Sequence, residues 1–244
     1  MPTSSPIRAV LFDKDGTLVD LRASWLPAYH AMAEALAAAA GHPPSFALEL
    51  LRRQGHDPGT GSFTADSPLL WATNEALARA WSAEPELRGV VDVGAIVEAH
   101  LADDERFPPV PVGDLASLFA RLRGRGLKLG IATMDTAVQA HATARRFGLE
   151  AHLCYVAGCD SGHGHKPDPG MVTAFCRAAN VAPAEVLMVG DTLADLMMGR
   201  AAGCGLIVGV LTGGLDRAVL EGHADIVLDT IHALETLQAL RDAL

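Results

Sequence analysis

Six short apolar runs constrain this chain more than anything else in it. They lie at residues 7–12, 127–133, 153–156, 186–189, 206–211 and 226–228. Each is almost continuously apolar rather than alternating, the pattern of a strand covered on both faces. Helical periodicity fills the gaps, over 115–123, 136–147, 169–180 and 195–202. Strand and helix therefore alternate from about residue 113 onward, which implies βα units and a parallel sheet. With 244 residues, 50% of them hydrophobic, the chain can bury one large domain or a core plus an insertion.

Residues 21–107 break this rhythm. LRASWLPAYHAMAEALAAAAG reads as a helix stopped by Gly41 and the His-Pro-Pro that follows. Residues 67–83 and 93–101 read as further helices, with no convincing strand among them. The stretch closes on FPPVPVG, a proline-rich hinge. The expected organisation is an α/β core, residues 1–20 and 108–244, with a small all-helical cap, 21–107, inserted after the first strand.

The formal net charge of −10 and the lack of a Lys/Arg-rich block argue against nucleic-acid binding. A small anionic substrate remains compatible, because one pocket can be positive on an acidic protein. Cys154, Cys159, Cys176 and Cys204 form no CxxC pair and no metal-ligand spacing with histidine, so free thiols of a reducing compartment are expected. MPTSSPIRAVLFDKD has no basic segment leading into a long apolar one. No apolar run approaches the roughly 20 residues of a membrane helix. A cytoplasmic protein that avoids membranes is expected, as a monomer or a homodimer.

In open parallel sheets ligands bind at the carboxyl ends of the strands. The first run ends in VLFDKDGTLVD, with Asp13, Asp15 and Asp20 in quick succession. The second ends at Thr133, Met134 and Asp135, and the third leads into GCDSGHGHKPDP with Asp160 and Lys166. The fourth ends at Gly190-Asp191, followed by Asp195, and the fifth at Thr212-Gly213-Gly214. Carboxylates gathered at neighbouring strand ends repel unless a cation sits among them. Hard oxygen donors without His or Cys suit Mg²⁺. A lysine and a hydroxyl beside them suit a phosphoryl group, and a carboxylate can itself be the nucleophile.

DKDGTLVD (13–20), Thr133, HKPDP (165–169) and GDTLAD (190–195) together resemble the four motifs of the haloacid dehalogenase superfamily, in its order. MMGRAAGCGLIVGVLTGG is similar to the stretch after the last of them. The resemblance implies a Rossmann-like three-layer core with an inserted helical cap and a phosphatase acting on a small phosphorylated metabolite. It makes Asp13 the nucleophile and Asp15 the acid and then the base. It assigns Mg²⁺ to Asp13, Asp191 and the backbone carbonyl of Asp15, with Asp195 orienting the metal's waters or supporting Lys166. Thr133, the Met134 N–H and Lys166 would bind the phosphoryl oxygens. Phosphoglycolate is the specific substrate expected. The alternatives are a sugar phosphomutase of β-phosphoglucomutase type and a non-catalytic phospho-aspartate signalling module. Asp15 and the large insertion speak against the last.

Two positions depart from the pattern. Met134 replaces the more usual asparagine or glycine, and Lys14 replaces an apolar residue. Lys14 is expected to point away from Asp13, to solvent or to a neighbouring carboxylate. Asp135 is expected to cap the next helix. Asp160 could pair with Lys166 or approach the metal. His163 and His165 read as a surface loop rather than a metal site. Arg22, Trp25 and Tyr29 could share a helix face; that face either packs within the cap or reads the leaving group, with Arg22 suited to a carboxylate or second phosphate. Asp20 marks the start of the cap and carries no chemistry.

Overall fold

The computed structural model describes residues 6–103 and 105–241. The first five residues, on which the reading of the N-terminus partly rests, lie outside the described residues. The chain divides into two compact units. One takes the chain up to Val19 and from Pro111 onward; the other is Asp20–Val110.

The first unit opens on β1 (Ala9–Phe12), whose residues are all buried. The chain then leaves for the second unit. There, α1 (Leu21–Ala39) and α2 (Phe46–Arg53) are followed by β2 (His56–Asp57) and β3 (Ser62–Phe63), then α3 (Asn74–Ser82) and α4 (Val93–Leu101). Asp20 starts α1, its Oδ1 accepting the Ala23 N–H at 2.9 Å. That is a helix cap and needs no chemistry. The unit packs α1 against α2 and α4, and α3 against α4, with Met32, Leu36, Leu50 and Trp81 fully buried.

Three features of this unit differ from the sequence reading. β2 and β3 pair antiparallel, His56 with Phe63 and Asp57 with Ser62. Strands of two residues are too short to carry an alternating signal. Residues 67–83 are not one helix: a 3₁₀ turn at Pro68–Leu70 precedes α3. Thr73 separates them, because its hydroxyl caps α3 by accepting the Ala76 N–H. Finally, α2 fills a stretch that had no assignment.

On returning, the chain alternates helix and strand. The elements are α5 (Leu115–Gly124), β4 (Lys128–Ala132), α6 (Ala137–Arg146), β5 (Leu153–Ala157), α7 (Gly170–Ala179), β6 (Val186–Gly190), α8 (Leu193–Ala202), β7 (Leu206–Val210), α9 (Arg217–Glu221), β8 (Ile226–Leu228) and α10 (Gln238–Arg241). Six strands form one sheet in the order β5-β4-β1-β6-β7-β8. Every pairing is parallel. One face buries Val10, Phe12, Ile131 and Val189 against Phe119 and Leu122 of α5, Ala144 of α6, and Ile231 and Leu234. The Phe12 and Phe119 rings stack at 4.8 Å. The other face receives α7, α8 and α9. This is a three-layer α/β core.

Successive connections from β1 lead to β4 and β5 on one side, whereas those from β6 lead to β7 and β8 on the other. The order reverses between β1 and β6, and the crevice at the carboxyl ends of two such strands is where an open α/β sheet binds its ligand. Among the described residues no helix is long and apolar enough to cross a membrane, and all four cysteines are free.

The seat of α7 depends on Gly130 in β4. A Cβ there would lie 2.7 Å from two atoms of the Phe175 ring, which is wholly buried and cannot yield. Gly130→Ala should lower stability by about 1–3 kcal/mol through overpacking. A urea titration would show this as a lower midpoint at unchanged slope, and an unchanged midpoint would mean that Phe175 has room to move.

Candidate active site

Side chains from several strand ends and the loops that follow them gather here. The Asp13 N–H donates to the Val189 carbonyl at 2.9 Å, so the β1–β6 ladder runs one residue past the strand. The chain then folds into a tight turn. The N–H groups of Leu18 and Val19 both donate to the Lys14 carbonyl, and the Gly16 N–H donates to the Val19 carbonyl. Gly16 takes φ +84°, the left-handed region that favours glycine. Next to β1, Asp191 follows β6. Thr192 then caps α8, with Asp195 three residues on completing a reciprocal capping box. Lys166 arrives from the loop between β5 and α7.

These groups form one buried cluster. Carboxylate oxygens of Asp13, Asp191 and Asp195 lie within 4.8 Å of one another. The Lys166 ammonium donates to Asp13 Oδ1 at 2.5 Å and to Asp195 Oδ1 at 2.7 Å. Asp195 Oδ2 accepts from the Thr192 N–H and hydroxyl, at 3.0 and 2.6 Å, so both its oxygens are engaged. Asp191 Oδ1 accepts from the buried Thr17 hydroxyl at 3.2 Å. Two oxygens are left over: Asp13 Oδ2 and Asp191 Oδ2 are buried without a hydrogen-bond partner among the described residues. The carboxylate of Asp191 sits between two loops that must be glycine there, since a Cβ on Gly16 or on Gly213 would overlap it.

The electrostatics follow from this arithmetic. Three carboxylates share one ammonium. Burial, then the Asp195 charge, push the Asp13 carboxyl up to about 7 despite Lys166. Burial and the charges of Asp13 and Asp195 likewise raise Asp191 well above the usual carboxylate range. Burial works against the charge on Lys166, yet Asp13 and Asp195 outweigh it and hold the ammonium above its ordinary value. Bare buried carboxylate oxygens are costly unless a cation meets them. The oxygen-only donor set of Asp13 and Asp191 fits a hard divalent ion.

A second network lies beside the first. Lys14 is buried and its ammonium reaches Asp15 Oδ1 at 2.7 Å and Asp135 Oδ2 at 2.8 Å. It points to carboxylates, as one of its two expected directions had it, and not to solvent. Burial opposes its charge, but Asp135 and Asp15 hold it above the ordinary lysine range. Asp135 is therefore not the helix cap; Thr136 is, in a capping box with Gln139. Thr133 is buried, its N–H donating to the Ala157 carbonyl and its hydroxyl oxygen accepting the Asp135 N–H. Met134 follows, half-buried. Asp160 bonds neither Lys166 nor the cluster; its Oδ1 accepts the Ala137 N–H at the start of α6.

Two further expectations concern histidines and the helical unit. The His163 ring stacks on Tyr155 at 6.3 Å, and neither His163 nor His165 belongs to a group of metal-ligating side chains among the described residues. Within the other unit, Tyr29 donates its hydroxyl to the Leu69 carbonyl at 2.7 Å and stacks with Trp25. Tyr29 is buried, and Trp25 stays part-exposed beside it. Arg22 is exposed near the start of α1, on the side where Gly61 turns.

Sequence reasoning missed the holding roles of Thr17 and Thr192. Their signal was present, since each is a threonine one or two residues past a motif aspartate, in DGT and GDT. It missed Lys14 as a bridge because nothing local says which way a side chain crosses to a neighbouring strand.

Residues 7–203 match the haloacid dehalogenase-like hydrolase family. The chain belongs to that family. It is 32% identical over 232 residues to a phosphoglycolate phosphatase of Chromobacterium violaceum, covering 95% of this chain and 96% of that one. It is 29% identical over 198 residues to an N-acetylmuramic acid 6-phosphate phosphatase of Pseudomonas putida, covering 81% and 80%. The crystal structure of a predicted phosphoglycolate phosphatase from Haemophilus somnus shares the fold, with a TM-score of 0.70 at 17% identity over 96% of this chain and 99% of that one.

The raised Asp13 carboxyl sets a sign for pH dependence. Without a cation, the folded state keeps a proton that the unfolded chain releases above 3.8, so stability falls as pH rises from there through about 7. A divalent cation competes with that proton. Millimolar Mg²⁺ should raise the melting temperature more at about pH 8 than at about pH 5. Asp191→Asn should erase the difference. Equal shifts at both pH values in thermal melts would show that the cation binds elsewhere.

Proposed function

We propose that this hydrolase is a Mg²⁺-dependent phosphatase that cleaves a small phosphorylated metabolite through a phospho-Asp13 intermediate. The observation that carries the reading is the pair of bare buried oxygens on Asp13 and Asp191, in the carboxylate cluster past the ends of β1 and β6 that Lys166 enters.

In this reading Asp13, Asp191 and the backbone carbonyl of Asp15 hold Mg²⁺, and Asp195 supports Lys166 from behind. Bound there, the ion would supply positive charge that helps neutralise the phosphoryl oxygens. The remaining work falls to the chain. Lys166, the Thr133 hydroxyl and the Met134 N–H bind those oxygens and stabilise charge that shifts onto them. A carboxylate oxygen of Asp13 attacks phosphorus while the bond to the leaving oxygen breaks, and Asp15 hands that oxygen a proton. In the second half Asp15, now a carboxylate, takes a proton from water. The water oxygen attacks phosphorus, the aspartyl–phosphate bond breaks, and inorganic phosphate leaves with Asp13 restored.

The relatives support a substrate class. Phosphoglycolate and N-acetylmuramic acid 6-phosphate are both phosphate monoesters of an acid, and we assign this chain to esters of that kind, phosphoglycolate first. A net charge of −10 suits a small metabolite better than a nucleic acid.

Phosphate release from a panel of small esters tests the reading. Wild type with Mg²⁺ should turn over at least one ester, EDTA should stop it, and Asp13→Asn should lower kcat by about 10⁴-fold or more. Hexose phosphate isomerisation without phosphate release would instead mark a mutase. Undiminished turnover in Asp13→Asn would remove the nucleophile from the mechanism.

A further inference from the structure

Lys14 is a buried ammonium held between two carboxylates. Its side chain is only 3% exposed, whereas both of its partners, Asp15 and Asp135, are 22% exposed. Each aspartate could be hydrated without it. A buried charge paired in this way contributes little net stability compared with an apolar side chain of similar volume, so packing does not account for a lysine here. What the pairing does achieve is geometric. Asp15 sits in the turn after β1, Asp135 in the loop after β4, and these strands are neighbours in the sheet. The ammonium, 2.7 Å from one carboxylate and 2.8 Å from the other, ties the two loops together and fixes one oxygen of Asp15. The loop it ties to is the one that carries Thr133, whose hydroxyl oxygen accepts the Asp135 N–H.

We infer that Lys14 is a positioning residue, which aims the Asp15 carboxyl for proton transfer to the leaving oxygen by clamping it to Asp135. The inference rests on the phosphatase reading and deepens it. In the first half-reaction the bond from phosphorus to the leaving oxygen breaks as the proton moves from Asp15 to that oxygen. An Asp15 that had lost this clamp would find the leaving oxygen less often, and misplacement by about 1 Å can cost about 10²-fold in rate. The clamp matters only where the leaving group needs a proton. An alkoxide does; p-nitrophenolate departs without one.

The experiment compares Lys14→Met, Asp135→Asn and the double variant on an alkyl phosphate that wild type hydrolyses and on p-nitrophenyl phosphate. Methionine keeps the volume of the lysine stem and removes the charge, so Lys14→Met should fold with an unchanged or higher melting temperature. Its kcat on the alkyl ester should fall by about 10²-fold, and its kcat on p-nitrophenyl phosphate by less than about tenfold. Asp135→Asn should show the same preference in weaker form. The double variant should be no worse than Lys14→Met, because Asp135 acts only through Lys14. Equal losses on both esters, no loss on either, or additive losses in the double variant would overturn the assignment. Should Lys14→Met fail to fold, Asp135→Asn alone decides by the same preference. Wild type inert on every ester would instead bring down the phosphatase reading itself.

Discussion

The buried ammonium of Lys166 is the contact around which the rest of the site is arranged. It holds Asp13 and Asp195 together, yet it brings one positive charge to a cluster of three carboxylates. Asp195 is satisfied by that ammonium and by its own helix cap. Asp13 and Asp191 each keep one oxygen that no described residue answers. A fold that placed these groups for stability alone would have used apolar side chains, because burying unanswered carboxylates costs several kcal/mol. The charge deficit is therefore best understood as half of an interaction whose other half is a cation and an anionic substrate.

Topology makes the cluster possible at all. Asp13 and Asp191 are far apart in the chain, but β1 and β6 are adjacent and parallel, in register from Ala9 with Val186 to Phe12 with Val189. Parallel strands end on the same side of a sheet, so residues just past each strand meet. The reversal of strand order at this pair keeps connecting helices out of the crevice. The same neighbourhood logic on the other side of β1 brings Lys14 to Asp135 at the end of β4. The central strand thus serves two ionic networks, one on each flank.

How much of this was legible beforehand depends on how local each cause is. The six core strands lie within a residue or two of their apolar runs; β1, β4, β6 and β7 are buried on both faces and must be apolar almost throughout, whereas the edge strands β5 and β8 are apolar but only half-buried, with Cys154 exposed. β2 and β3 were missed since two residues have no period, and α3 was drawn too long since nothing in the apolar spacing reveals that Thr73 caps it. Asp13, Lys166, Asp191 and Asp195 were legible among the strand-end residues once the strands were known, and the resemblance to the haloacid dehalogenase motifs singled them out from Asp135, Asp160 and Thr212. The directions of individual side chains were not legible. Asp135 and Thr136 are both good cap residues, and only the arrival of Lys14 from the next strand decides between them. Asp160 was linked to Lys166 by closeness in sequence, whereas its partner is a backbone N–H in α6.

Glycine shows the same division between local and non-local causes. Gly16 has a local reason, its positive φ within the turn after β1. It also has a non-local one that no window of sequence contains, because its missing Cβ makes room for the carboxylate of Asp191. Gly213, from the loop after β7, clears the same carboxylate from another side. Two loops remote in the chain thus give up side chains for one group. That shared accommodation fixes where the Asp191 carboxylate can sit more narrowly than its single hydrogen bond from Thr17 could. A bare oxygen held in a fixed place can bind a cation without first reorganising, and preorganisation of this kind is what separates a binding site from a mere excess of acid.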